Sequence, residues 1–538
     1  MRHATNCRVY RSVSDGFESD HRIVVMDCIF PSRNERKRMS MKKINNRPQL
    51  DIKTLRKNPE VMDRYSNRVE QTLTDKCGNI ENNVDEISEK ITIAIQTSSM
   101  EEIPPKDKKR DEKPWANDTF VSLVKERNNK KYRKERDDLN KQITKMSTKL
   151  KNEYYAKKAS LLNEASVCRG VEEEFRRAND YKASKSTSKV TIAADKLKNH
   201  FEEHFAPRDV TIQPEVVNSE QFAHILPPDD LEVNENSPTE EELKASVKSL
   251  KNNKCAGTDQ IYAEQLKYCT SSKLITNIML LLACIWSSIS VPKSWLEAII
   301  TCLHKKGPKN IAKNYRSIFI MNTISRLLPI IIMQRLRNVY EKVMMKSQFG
   351  FRKNRSTTDA IFIVREAIRS TKQPLYLCMI DLRAAYDHID RNMMFKVLSI
   401  RTKAPKLVNI LKAVYTGTIA AIKHTVDQFQ IHTGCRQGGI ESPMIFNIYM
   451  DFVLRCAEHE VQSKYPESGL KYSYQINIEA STREQRKLHG LRGNDWLRML
   501  LYADDIVLFC ENIEELQGVI DIYNRTFKQL KTSDNSNT

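Results

Sequence analysis

No two of the 12 cysteines in this 538-residue chain are spaced Cys-x-x-Cys, and none is spaced from histidine in a way that suits zinc. A structural zinc site and a small secreted disulfide framework are therefore not expected. The N-terminal residues carry no signal-peptide pattern, so reduced thiols and a soluble protein of nucleus and cytoplasm are expected. Acidic residues are short against basic ones: Asp and Glu number 68, Lys and Arg 88, for a formal charge of +20. Such a surplus favours a polyanionic partner, because each phosphate neutralised by Lys or Arg releases counterions. One uncharged run, Leu274 to Val291 between Lys273 and Lys293, has the length of a membrane span. It holds Thr276, Asn277, Ser287, Ser288 and Ser290, and its flanks show no useful charge asymmetry. A buried helix is expected there, and no membrane partner. There is no internal repeat.

Glycine and proline are absent between Trp115 and Arg169, where the composition predicts a long polar helix or a helix pair. Leu139, Ile143, Met146 and Leu150 in that stretch share one helical face. Earlier, Ile23-Val24-Val25-Met26 predicts a strand, followed by a basic stretch containing Arg36, Lys37, Arg38, Lys42 and Lys43. The region from about Gln213 to Ser237 is acidic and resembles a linker. Order resumes at Thr239, which with Glu242 forms a capping-box signature ahead of Leu243, Val247 and Leu250 on one helical face. From there to Leu530 helical and strand patterns alternate, predicting an α+β or α/β catalytic domain.

Three segments in that domain carry chemistry. Leu500 to Phe509 places two short apolar, β-forming runs around Asp504 and Asp505, the pattern of a buried hairpin with two acids at its turn. Neighbouring carboxylates repel and lose hydration on burial, which a divalent cation relieves, and hard oxygen ligands suit Mg²⁺. A surface hairpin with an acidic turn is the alternative for that segment alone. Leu375 to Ile380 is an apolar strand pattern that delivers Asp381 at its end, as a metal ligand or as a helix cap. Gly434 to Asn447 is a Gly-rich loop bearing Arg436, Gln437 and Gly438. Ser442 as N-cap and Pro443 as first residue then start a helix. Loop amides, a helix N-terminus and Arg436 suit an anionic ligand.

In that order, strand-Asp, Gly-rich loop with Arg-Gln, and hairpin Asp-Asp resemble the palm of reverse transcriptases, specifically those of non-LTR (LINE-type) retrotransposons. Asp381 with Tyr386 matches the first palm motif, Arg436-Gln437-Gly438 with Ser442-Pro443 the second, and Tyr502-Ala503-Asp504-Asp505 the third. Asn314 to Ile318 is similar to the Arg-Pro-Ile segment, with Ser317 where Pro is usual; Gln348 to Thr357 is similar to the fingers motif, with Asn354 where Gly is usual. Gly439-Ile440-Glu441 departs from the common Asp-Pro-Leu. The resemblance spans Thr239 to Leu530.

It implies an α+β right-hand fold of fingers and palm, and RNA-directed DNA polymerase activity on an RNA template, a DNA primer or target, and dNTPs. Asp381, Asp504 and Asp505 would be the catalytic ligands of two Mg²⁺ ions, for which Mn²⁺ can substitute, with Asp504 ranked above Asp505. Tyr386, Gln437, Arg436 and Gly438 would bind nucleotide; Arg316, Arg352 and Lys305 would meet template or phosphate. Ser19 to Val24 is similar to the closing strand of the apurinic-type endonuclease that precedes these polymerases, with Asp20 orienting His21. The expected organisation is therefore an endonuclease remnant over residues 1–30 and a basic, mostly helical linker over 31–236. Fingers and palm without a thumb follow over 237–530, then a polar tail over 531–538. A truncated or co-opted nucleic-acid-binding relic is the competing function. Tyr386 argues against an RNA polymerase, and the endonuclease remnant against an intron maturase.

Overall fold

The computed structural model describes residues 4–10, 23–28, 50–75, 83–106, 115–129, 133–168, 192–207, 225, 232–382, 384–423, 425, 427–475 and 492–529. The chain divides into two compact units, Met1–Gln49 and Leu50–Thr538. In the first, β1 (Ala4–Tyr10) pairs antiparallel with β2 (Ile23–Cys28), the strand expected from its apolar run. Asp20 and His21 lie outside the described residues.

The second unit mixes helices with sheets, as an α+β fold does. A four-stranded sheet has the order β4-β3-β6-β7, from β3 (Glu297–His304), β4 (Tyr315–Met321), β6 (Ile419–Ile422) and β7 (Gln428–Gln430). A three-stranded sheet joins β5 (Tyr376–Asp381) to the hairpin of β10 (Met499–Tyr502) and β11 (Asp505–Cys510), with β11 central. Strands β8 (Leu470–Gln475) and β9 (Arg492–Leu497) form a separate antiparallel pair. The period-two pattern of β11 shows why this sheet lies where it does. Ile506, Leu508 and Cys510 enter the main core, while Val507 and Phe509 join a smaller cluster on the opposite face.

Helices α1 (Pro59–Asp75) and α2 (Val84–Glu102) carry Tyr65, Val69, Ile87, Ile91 and Ile95 into the same core as Leu243, Leu282 and Leu336. They therefore share the core of the second unit, within the stretch 31–236 where a basic, mostly helical linker is expected. The acidic stretch near residue 230 is also anchored: Trp286 Nε1 donates to Glu235 O at 2.9 Å, and Ile225 is 1% exposed. Helices α3 (Asp118–Asn129) and α4 (Arg133–Cys168) form the expected polar pair, with Phe120 and Ile143 buried. Helix α5 (Ala194–His204) lays Leu197 and Phe201 on the four-stranded sheet.

Helix α6 (Glu240–Ser249) begins with the expected capping box: Glu242 N donates to Thr239 Oγ1 at 3.3 Å, and Thr239 N to Glu242 Oε2 at 2.9 Å. Helix α7 (Ser272–Ser288) buries Leu274, Ile278, Leu281 and Trp286, so the uncharged run is a core helix. Among the described residues no helix is long and apolar enough to cross a membrane. Helix α8 (Leu327–Val343) is buried all round over Leu327 to Met333 and then buries one face, through Leu336, Val339, Tyr340 and Val343. Helix α9 (Thr357–Ser370) covers the smaller cluster, and α10 (Arg391–Thr402), α11 (Pro405–Tyr415), α12 (Ser442–Lys464) and α13 (Ile513–Gln529) pack around the main one. Ser442 is the first residue of α12, with Glu441 at the N-cap position, one residue earlier than expected and without a side-chain cap; the Ser442 hydroxyl donates to Arg436 O at 2.7 Å.

Candidate active site

The three acids converge at one edge of the β10-β11-β5 sheet. Asp381 ends β5 and pairs in register with Asp505, which opens β11; Asp504 lies in the two-residue turn between β10 and β11. Antiparallel partners directly opposite each other project to the same face. Asp381 and Asp505 are exposed and Asp504 is half-buried. Burial pushes the Asp504 carboxyl up from its ordinary range, and the neighbouring Asp505 and Asp381 add to this, with Arg316 opposing them.

The turn itself is held from behind. Ala503 adopts the left-handed region at φ 61°. Its N–H donates to Gln348 Oε1 at 3.0 Å, the same oxygen that takes Gly350 N–H at 2.8 Å. Phe349 N donates to Leu501 O at 2.8 Å, and a Cβ on Gly350 would stand 2.3 Å from Ala503 N, so only glycine lets this strap lie flat on the hairpin. Gln348 was visible within the fingers motif, but nothing in the sequence assigned it this contact.

Tyr386 stands beside the acids. Its ring stacks on Phe446 of α12 at 3.9 Å and 9°, and Phe351 meets it edge-on at 6.5 Å. Burial, then Cys435 and Asp504, push its phenol well above the ordinary range. Among the described residues its buried Oη has no hydrogen-bond partner, which is uncommon for a native hydroxyl.

The Gly-rich loop runs back along the same residues. Cys435 N donates to Tyr386 O at 2.7 Å, and Phe319 N in β4 donates to Gln437 O at 2.7 Å. Gly438 has φ 108°, and a Cβ there would meet Phe319 O at 2.8 Å. Its glycine thus serves close packing of loop on strand as well as access. The Gln437 side chain donates to Asp387 Oδ1 at 2.7 Å.

Of the basic residues expected here, Arg316 is exposed on β4 and close enough to Asp504 to oppose its upward shift. Lys305 is exposed just after β3. Two others point elsewhere. Arg436 is 2% exposed and turns inward, donating to Val414 O and, at 3.0 Å, to Thr418 Oγ1, with its guanidinium over the Tyr415 ring. Arg352 is likewise committed, to Glu341 Oε2 at 2.9 Å and Met345 O at 2.8 Å. Both guanidinium groups build the fold under the site.

Oxygen-only donors, two of them paired across neighbouring strands, fit a hard divalent cation. Among the described residues no three His, Cys, Asp or Glu side chains stand close enough together to hold a metal ion as they are placed.

Residues 303–536 match the family described as reverse transcriptase (RNA-dependent DNA polymerase). The chain is 22% identical over 284 residues to a Xenopus laevis protein, the transposon TX1 uncharacterized 149 kDa protein, covering 52% of this chain and 20% of that one. It is 25% identical over 169 residues to the putative 115 kDa protein in type-1 retrotransposable element R1DM of Drosophila melanogaster, covering 30% and 16%. Identity to the retrovirus-related Pol polyprotein from type-2 retrotransposable element R2DM, also of Drosophila melanogaster, is 23% over 289 residues, covering 53% and 24%. The matches thus span at most 24% of the length of these relatives. The stretch from residue 303 to 536, with its paired acids and its Arg-Gln-Gly loop, is a reverse transcriptase domain of the non-LTR retrotransposon kind.

Proposed function

We propose that this chain is an RNA-directed DNA polymerase that extends a DNA primer on an RNA template. The observation that carries the reading is the convergence of Asp381, Asp504 and Asp505 beside Tyr386, whose hydroxyl has no partner among the described residues. In the reaction the primer 3′-oxygen bonds to the α-phosphorus of a dNTP as the bond to pyrophosphate breaks. Held by Asp381, Asp504 and Asp505, two Mg²⁺ ions would lower the pKa of the 3′-hydroxyl and offset charge on the departing pyrophosphate.

The remaining work falls to the protein. Arg316, exposed beside Asp504, places positive charge where a triphosphate would lie against the acids. Tyr386, clamped flat on Phe446, offers a rigid surface to the sugar and disfavours a ribose 2′-hydroxyl. Gln437 and the exposed Gly438 line the nucleotide side, and Lys305 lies on the fingers hairpin for template phosphate. The formal charge of +20 supports a nucleic-acid partner.

Primer extension on an RNA template with Mg²⁺ and dNTPs tests the reading. Extension by the wild-type chain that disappears in Asp504→Ala/Asp505→Ala is the expected result. Salt-sensitive RNA binding with no extension by either protein would overturn it in favour of a nucleic-acid-binding role without turnover.

A further inference from the structure

Asp387 links Gln437 to His204, which lies 183 residues before Asp387 in the chain. One carboxylate oxygen, Oδ1, takes the Gln437 Nε2 amide proton at 2.7 Å; the other, Oδ2, lies 3.1 Å from His204 Nε2. A carboxylate only accepts, so His204 donates through Nε2. The two side chains are 20% and 10% exposed, which limits competition from water. Asp387 is fixed through its backbone as well, since its carbonyl accepts from Thr433 Oγ1 at 3.0 Å.

His204 ends α5, ahead of the stretch that matches the reverse transcriptase family. The helix is firmly seated. Leu197, Phe201 and Phe205, each four residues apart, are buried among Phe319, Ala420, Phe429 and Ile431. Phe205 meets Phe319 edge-on at 5.6 Å, and its carbonyl accepts from His432 N at 3.0 Å. The helix that carries His204 is thus pinned to the same strand and loop that carry Gln437.

We propose that His204 is a positioning residue for nucleotide binding. Through Asp387 it fixes the Gln437 amide with Nε2 engaged, so that Oε1 is the atom left for an incoming deoxynucleotide. A segment ahead of the stretch that matches the reverse transcriptase family would then set the affinity of the polymerase site. The proposal rests on the polymerase reading above. An unanchored glutamine must be ordered at each binding event, a cost that corresponds to roughly threefold to tenfold in affinity.

The test is steady-state primer extension by the full chain carrying His204→Ala, His204→Gln, Gln437→Ala, or His204→Ala with Gln437→Ala. His204→Ala is expected to raise KM for dNTP roughly threefold to tenfold while kcat stays within about twofold. His204→Gln, which keeps an N–H donor, should bring KM back to within about twofold of wild type. The double variant should be no worse than Gln437→Ala alone, because both changes break one chain of contacts. If circular dichroism shows that His204→Ala does not fold, Asp387→Asn replaces it; its single remaining side-chain acceptor should raise KM in the same way. An unchanged KM, a loss confined to kcat, or additive losses in the double variant would overturn the proposal while leaving the polymerase reading intact. A wild-type chain that neither extends a primer nor binds dNTP in equilibrium dialysis would overturn both.

Discussion

Asp505 stands directly across from Asp381, first residue of one strand against last residue of its neighbour. Two carboxylates in that relation repel, and Asp504 in the adjoining turn feels both. Asp381→Asn or Asp505→Asn removes one charge from the set. In EDTA each variant is expected to be as stable as wild type or more so, by up to about 1 kcal/mol, because like charges across a strand pair cost that much. Primer extension should fall by about 100-fold or more in both, the usual loss when a centre of charge stabilisation is removed. Added Mg²⁺ should raise the melting temperature of wild type and leave that of Asp381→Asn nearly unchanged. Asn variants that are less stable in EDTA and still active would show that the acids are structural.

The acids were legible because the pattern that marks them is local: an apolar strand run ending in Asp, and a hairpin with its acids at the turn. Tyr386 followed from the resemblance of its segment to the family's first palm motif. What the sequence hid is set by tertiary contacts. Arg436 was expected to face a ligand, yet Val414 O and Thr418 Oγ1, about twenty residues upstream, draw its guanidinium inward. Helices α1 and α2 lie within the stretch read as a linker, and that their apolar faces join Leu243 and Leu282 in one core was not readable. His204 gave no signal at all, since its partner Asp387 lies in a motif whose other members already explained it.

Gln348 is 1% exposed and its Oε1 serves two backbone N–H groups, those of Gly350 and Ala503. Gln348→Leu keeps the bulk and leaves both donors unsatisfied, at roughly 1–3 kcal/mol each. Thermal unfolding should report a corresponding loss. Hydrogen exchange at the Ala503 amide should quicken beyond the change at Leu508, since the hairpin turn loses its strap before the strand does. Unchanged exchange at Ala503 would mean that the strap does not hold the turn.

Glu441 occupies the position where the common motif has leucine. Here it is 1% exposed and accepts from Tyr415 Oη at 2.9 Å, while burial weakens the Arg436 guanidinium and Tyr415, then Glu441, oppose this. Glu441→Leu should therefore destabilise by roughly 1–3 kcal/mol, the cost of leaving the buried Tyr415 hydroxyl without its acceptor. Combining it with Arg436→Met should cost less than the two single losses added, because both residues meet at Tyr415. Urea denaturation of the two single variants and the double variant measures this coupling. Losses that simply add would show that Glu441 and Arg436 are not coupled.

Asp259 provides a pH signature separate from the acids at the hairpin. Burial pushes its carboxyl from 3.8 up to about 6, against the pull of Arg326 and of the backbone N–H groups it accepts from. The native state therefore keeps a proton that the unfolded chain releases near pH 4. Between those values the native state binds more protons than the unfolded one, so stability from this group falls as pH rises, and the penalty is complete above about 6. Asp259→Asn retains the oxygen that accepts from Ile261 N–H and abolishes the titration. The variant should gain about 2–3 kcal/mol over wild type at pH 7.5, with the advantage shrinking towards zero at pH 4. Denaturant midpoints measured across that range decide the matter. An advantage for the variant that stays constant from pH 4 to 7.5 would mean that Asp259 is ionised throughout, with Arg326 holding its charge.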